Sequence, residues 1–147
     1  MLEEALTSVV TDIWAAVVKG PISPWTKDGG PEWSVPSLTA SVRILGGGAQ
    51  RRVVARCSPA LGREIAGSLL DVDPALTTDA DVKDALGEIA NILGGNVKGL
   101  LSSGSPLSSP RVGKEGAAPA GAVLAEARFT CGSEPLQVEV LSDTEPV

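Results

Sequence analysis

The sequence predicts an α+β fold: an antiparallel sheet built from hairpins, with two long helices packed on one face. Three observations predict it. Two pairs of alternating apolar runs, 38–44 with 53–57 and 123–129 with 136–140, each join across a turn and read as hairpins. Between the pairs, apolar residues recur every three or four positions from Leu61 to Leu70 and from Val82 to Leu100, the stripes of two amphipathic helices. Hydrophobic residues make up 43% of the 147. That is enough for one core, so residues 1–147 form a single domain.

Taken in order, the chain opens with a further helical stripe, Leu2, Leu6, Val9, Ile13 and Val17, stopped by Gly20-Pro21. A Pro/Gly-rich connection runs on through Pro36 and carries Trp25 and Trp33. A loop folded over the core by these aromatics outweighs an exposed recognition surface. The first hairpin sets Leu38, Ala40, Val42 and Ile44 against Thr39, Ser41 and Arg43, then Val53, Ala55 and Cys57 against Arg52, Val54 and Arg56. Gly46-Gly47-Gly48 lies between. A phosphate-cradling loop would need a Gly-Lys-Ser/Thr ending and a helix behind it, so a strand turn is the reading. Ser58 as N-cap and Pro59 behind it begin the second helix. Its buried side is Leu61, Ile65, Leu69 and Leu70, and Asp71 to Pro74 end it.

Thr78 and Asp81 are spaced as a capping pair for the central helix, Thr78 to Ser103. Its stripe is Val82, Leu86, Ile89, Leu93, Val97 and Leu100. From Ser102 to Gly121 the chain is dense in Ser, Gly, Pro and Ala, a long loop with a short edge strand near Arg111-Val112. The closing hairpin pairs Val123, Ala125, Ala127 and Phe129 with Leu136, Val138 and Val140 across a turn at Cys131 to Glu134. Ser142 to Val147 is a frayed tail. The expected core is Leu86, Ile89, Leu93, Val97, Ile65, Leu69, Val42, Ile44, Val138 and Val140.

Composition narrows the chemistry. A net charge of −6 and a pI near 4.6 leave no electrostatic footprint for nucleic acid. No apolar run approaches 18 residues, so no membrane span is expected. Glu3 and Glu4 stand where a signal peptide would be basic, and a cytoplasmic protein is the expectation. Absence of histidine and tyrosine excludes Ser/His and Cys/His catalysis and His-built metal sites. Cys57 and Cys131 form no CxxC pair. They read as buried thiols in a reducing compartment, with a bridge between them left open.

One polar row then stands out. At about 100° per residue, Asp84, Glu88 and Asn91 fall within roughly 60° of one another, opposite the apolar stripe. Gly87, Gly94, Gly95 and Gly99 share that half of the helix, each costing about 1 kcal/mol relative to alanine. Two readings stand level. The bare face lets another surface approach closely, or Gly94-Gly95 ends one helix and Val97 begins another.

The run Asp84-Ala85-Leu86-Gly87-Glu88-Ile89-Ala90-Asn91-Ile92-Leu93-Gly94-Gly95-Asn96 resembles the signature helix of the CheC/CheX/FliY chemotaxis phosphatases: Asp or Ser, three residues, Glu, two residues, Asn, and a proline further on. Pro110 resembles that trailing proline, a few residues nearer than the family's usual spacing. A single Glu-x2-Asn helix and the element order make the chain CheX-like. The resemblance implies hydrolysis of the aspartyl phosphate of a CheY-like receiver domain. It assigns Glu88 and Asn91 as catalytic, Asn91 orienting the attacking water and Glu88 pairing with the partner's active-site lysine. Asp84, Gly87, Gly95 and Pro110 become partner-binding residues. It implies no metal or cofactor in this chain, Mg²⁺ on the partner receiver, and a homodimer joined through strands. The alternative under the same resemblance is a non-catalytic response-regulator-binding or flagellar-switch module.

Overall fold

Local capping starts both long helices where the side chains predict. A computed structural model of the protein describes residues 2–26, 29, 33, 37–45, 50–101, 104, 106–114 and 121–142. Helix α2 (Pro59–Leu70) begins where Ser58 Oγ accepts the Leu61 N–H at 3.1 Å, and it ends on Asp71 in the left-handed region. Helix α3 (Asp79–Leu100) begins with a reciprocal box. Thr78 Oγ1 accepts the Asp81 N–H at 3.1 Å, and Asp81 Oδ2 accepts the Thr78 N–H at 2.9 Å. It runs unbroken for 22 residues, so Gly94-Gly95 does not divide it.

Helix α1 (Leu2–Ile13) continues into a π-helical turn, Trp14–Val18, closed by Lys19 at φ 59°. A π turn holds an extra residue, which puts Val18 rather than Val17 in the core. Leu6, Val10, Ile13, Trp14 and Val18 are buried, while Val9 and Val17 are half-buried. Trp14, 1% exposed, is therefore the tryptophan of the core. Trp25 and Trp33, expected to fold the loop over the core, are only half-buried. The Arg56 guanidinium lies 4.4 Å from the Trp33 ring centre.

Six antiparallel strands follow the order β1-β5-β6-β3-β2-β4, comprising β1 (Ser23–Pro24), β2 (Leu38–Ile44), β3 (Arg51–Cys57), β4 (Arg111–Lys114), β5 (Val123–Cys131) and β6 (Glu134–Ser142). The hairpins pair as their alternation requires, Val42 with Val53 and Ala127 with Val138, and β3 joins them by pairing Ala55 with Val138. β4 is the edge strand expected near Arg111-Val112, one side bonded to β2. β1 is an addition: two residues of the connection bind the β5 edge, extended by the Trp25 N–H to the Arg128 carbonyl at 3.0 Å.

All three helices cover one face of the sheet. α3 lies over β2 and β3, α2 packs on α3 and touches β6, and α1 packs on α3 and β5. The expected pair of helices is thus a trio. Every expected core residue is buried except Leu69, which is half-buried against the core. Leu70 and Leu100, placed in the buried stripes, are instead 51% and 39% exposed. Each is the last residue of its helix, with no following turn to cover it. Cys57 and Cys131 are buried and unbridged. The Gly46-Gly47-Gly48 turn and the tail beyond Ser142 lie outside the described residues.

Candidate functional site

The exposed crest of α3 is defined by what covers its two flanks. On one flank, residues 106–110 run beside β2. The Leu45 N–H bonds the Pro106 carbonyl, the Ser108 N–H the Arg43 carbonyl, and the Arg43 N–H the Ser108 Oγ, each at 2.9 Å. This strap brings Leu107 onto Gly94 and Pro110 onto Gly87. A methyl on Gly94 would sit 2.5 Å from Val42 Cγ2 and 3.4 Å from Leu107 Cδ1. A methyl on Gly87 would meet Pro110 Cγ at 3.4 Å and Val112 Cγ2 at 3.8 Å.

These two glycines therefore serve the chain's own packing. The idea that all four bare positions spare room for a partner is corrected by this geometry. Gly95 and Gly99 differ: nothing lies within 4 Å of a methyl at either. On the opposite flank, α3 meets α2 through buried Ala85. The groove between them holds about 270 Å³ and is lined by Leu69, Leu70, Asp81, Asp84, Ala85 and Glu88.

Asp84, Glu88, Asn91, Gly95 and Gly99 are all exposed, and they form one continuous strip. The three polar residues climb the axis at about 1.5 Å per residue, putting Asn91 roughly 4.5 Å above Glu88 and Glu88 roughly 6 Å above Asp84. Among the described residues, none of the three side chains makes a hydrogen bond or ion pair. The strip offers two carboxylates and one carboxamide, which can accept and donate at once. Of the sequence-derived site residues, Asp84, Glu88, Asn91 and Gly95 share this surface. Gly87 is buried under half-buried Pro110, so that pair supports the helix from the side.

Sequence reasoning missed Leu107 and Ser108, which hold the strap to β2; the signal was the glycine pair seven residues apart on the flank. Neither thiol joins the strip. Burial pushes the Cys57 thiol up to about 12, with Cys131 and Glu134 adding to the shift. Burial, then Glu64, raises Cys131 to about 12 as well. Among the described residues, no group of three or more His, Cys, Asp or Glu could hold a metal ion, and no helix is long and apolar enough to cross a membrane.

A family model described as the chemotaxis phosphatase CheX matches residues 38–131, from β2 through β5 with α3 and the strap inside. The fold is similar to that of chemotaxis protein CheX from Vibrio vulnificus, at TM-score 0.74, 16% identity and 95% of each chain covered. It is similar to a CheX from Desulfovibrio desulfuricans at 0.70 and 16%, covering 97% of this chain and 99% of that one. A third similar structure is the CheX-CheY-BeF3-Mg+2 complex from Borrelia burgdorferi, at 0.64 and 13%, covering 95% and 96%. Among curated proteins, none matches. At these identities the likeness to solved structures is one of fold.

Proposed function

The chain belongs to the family of the chemotaxis phosphatase CheX, and on that premise we propose that it hydrolyses the aspartyl phosphate of a CheY-like response-regulator receiver domain in the cytoplasm. The observation that carries the reading is the α3 crest, where Glu88 and Asn91 stand exposed one turn apart beside open Gly95. The similar structure from Borrelia burgdorferi is of a CheX with CheY, BeF3 and Mg+2.

Phosphoryl transfer is mainly positioning and charge stabilisation. The reading leaves the acyl phosphate, the Mg²⁺ and an active-site lysine to the receiver. Asn91 enters the phosphate pocket. Its carboxamide oxygen accepts from the attacking water while its NH₂ donates, holding the water in line with phosphorus. Glu88 pairs with the receiver's lysine and sets the register. Asp84 adds a rim contact, Gly95 permits close approach, and Pro110 on Gly87 steadies the helix. The same proposal includes a homodimer through strands. Among the described residues, β1 and Trp25 cover β5 only from Arg128 to Thr130, leaving the 123–127 edge with exposed Val123 and Leu124 for a second copy.

The test is phosphate release from a purified phosphorylated receiver. Wild type accelerates it. Asn91→Ala, an exposed position, removes the acceleration by on the order of 10²-fold, the scale of one lost positioning group. Glu88→Ala raises the half-saturating receiver concentration roughly 10- to 100-fold, as expected for one charge-assisted hydrogen bond. Fluorescence of buried Trp14 verifies folding. Wild type that binds the receiver without accelerating release overturns catalysis and leaves the non-catalytic binding module.

A further inference from the structure

A second groove lies across the strap from the crest, where the first turns of α2 and α3 overhang β4. It encloses about 410 Å³ over an apolar floor that includes Leu38, Val82, Leu86 and Val112. Its lining also brings three cations from three elements: Arg63 of α2, Lys83 of α3 and Lys114 of β4, against the single carboxylate of Asp79. In a chain of net charge −6, that is a local reversal of sign. All three cations are exposed, and among the described residues none is ion-paired.

Among the described residues, the backbone beside this groove is also unpartnered. β4 is the outermost strand. Along β2, Arg43 and Leu45 turn their backbone groups toward residues 106–108. Strand alternation then turns those of Ser41 and Thr39 toward their partners Arg111 and Gly113. The N–H and C=O groups of Val112 and Lys114 consequently face the free edge. Their side chains, paired with Ala40 and Leu38, face the groove.

We propose that the β4 edge and the groove beside it form a docking site for an extended acidic peptide of a partner protein, carrying an apolar anchor. The peptide adds a strand to β4. Alternate side chains enter the groove, the anchor over Leu86 and Val112 and the carboxylates at Arg63, Lys83 and Lys114. The four residues of β4 accommodate a segment of about four to five residues at about 3.4 Å each. This site is separate from the α3 crest and does not depend on phosphatase activity.

The probe is a fluorescein-labelled peptide with glutamate, leucine and glutamate at alternate positions on one strand face and threonines on the other, TETLTET, titrated with the full chain by anisotropy. Saturable binding is expected. Arg63→Glu with Lys83→Glu weakens it at least tenfold, thermal melts confirming the fold. The lysine counterpart TKTLTKT does not bind, and hydrogen exchange at the Val112 and Lys114 amides slows when TETLTET is bound. The proposal is overturned by absence of saturable binding, by binding indifferent to charge reversal, or by binding that leaves both amides exchanging as before. It is equally overturned if those amides are already protected without peptide, because a second copy then occupies the edge.

Discussion

Neighbouring glycines on α3 make opposite demands, and substituting each by alanine measures the difference. Alanine in place of glycine inside a helix gains roughly 1 kcal/mol through lower backbone entropy in the unfolded chain. At Gly95 nothing opposes this, since no atom lies within 4 Å of the new methyl. Gly95→Ala therefore stabilises by about 0.5–1 kcal/mol. At Gly94 the methyl lands 2.5 Å from Val42 Cγ2, about 1–1.5 Å inside a normal carbon contact of about 3.5–4.0 Å. Val42 is 1% exposed, on a strand paired on both sides, and its branched side chain is restricted at χ1. Overpacking of this kind costs about 1–3 kcal/mol. Setting the helix gain against it, Gly94→Ala destabilises by up to about 2 kcal/mol. Urea unfolding followed through Trp14 reads both variants. In a thermal melt they separate by several degrees, at about 2–4 °C per kcal/mol for a chain near this size. Gly94→Ala at least as stable as Gly95→Ala would refute the close approach of α3 to β2.

The remaining predictions test other parts of the fold. Burial and then Glu126 opposite it raise the Glu139 carboxyl above its ordinary 4.5, outweighing the Gln137, Arg128 and Arg56 contributions. A carboxyl raised on folding contributes stability that is complete below its unfolded value and is lost as pH rises through its folded value. Glu139→Gln is accordingly more stable than wild type at pH 7 and equal to it near pH 4, as urea midpoints will show; an equal gain at both pH values contradicts the assignment. Both thiols, ordinarily near 9 and raised to about 12, stay unreactive toward a disulfide reagent at pH 8 until the chain is unfolded. Stability falls as pH climbs from 9 toward 12 by the same sign. Thr78→Ala removes the α3 capping box and lowers stability by about 1 kcal/mol, measurable as a 2–4 °C loss in Tm.

The polar row was legible because it depends on one helix alone: Asp84, Glu88 and Asn91 share a face whatever packs behind them. The caps at Ser58 and Thr78 and the pairing of Val42 with Val53 were legible for the same local reason. Features set by distant partners were not. Val17 and Val18 are both apolar, so no pattern reveals the extra residue that puts Val18 in the core. Ser23-Pro24 is too short to alternate, and proline argues against a strand, yet β5 takes it at an edge. Gly87 and Gly94 looked equivalent to Gly95 because their difference lies in Pro110, Val42 and Leu107, supplied by segments far along the chain. Leu70 and Leu100 satisfied their stripes but stand at helix ends.

The bare side chains of the crest bear on substrate choice. The α3 backbone is clamped by Val42 against Gly94 and by Pro110 against Gly87, whereas Glu88 and Asn91 find no holder among the described residues. Their rotamers are settled at docking, at a cost of about 0.5–1.5 kcal/mol each. On the proposed reading, a receiver whose pocket fits acts as the template that assembles the catalytic pair. A small acyl phosphate free in solution, such as acetyl phosphate, has no such template and goes unhydrolysed. Selectivity of this kind needs no gate and no lid: the reaction waits on the arrival of the only surface that can complete it.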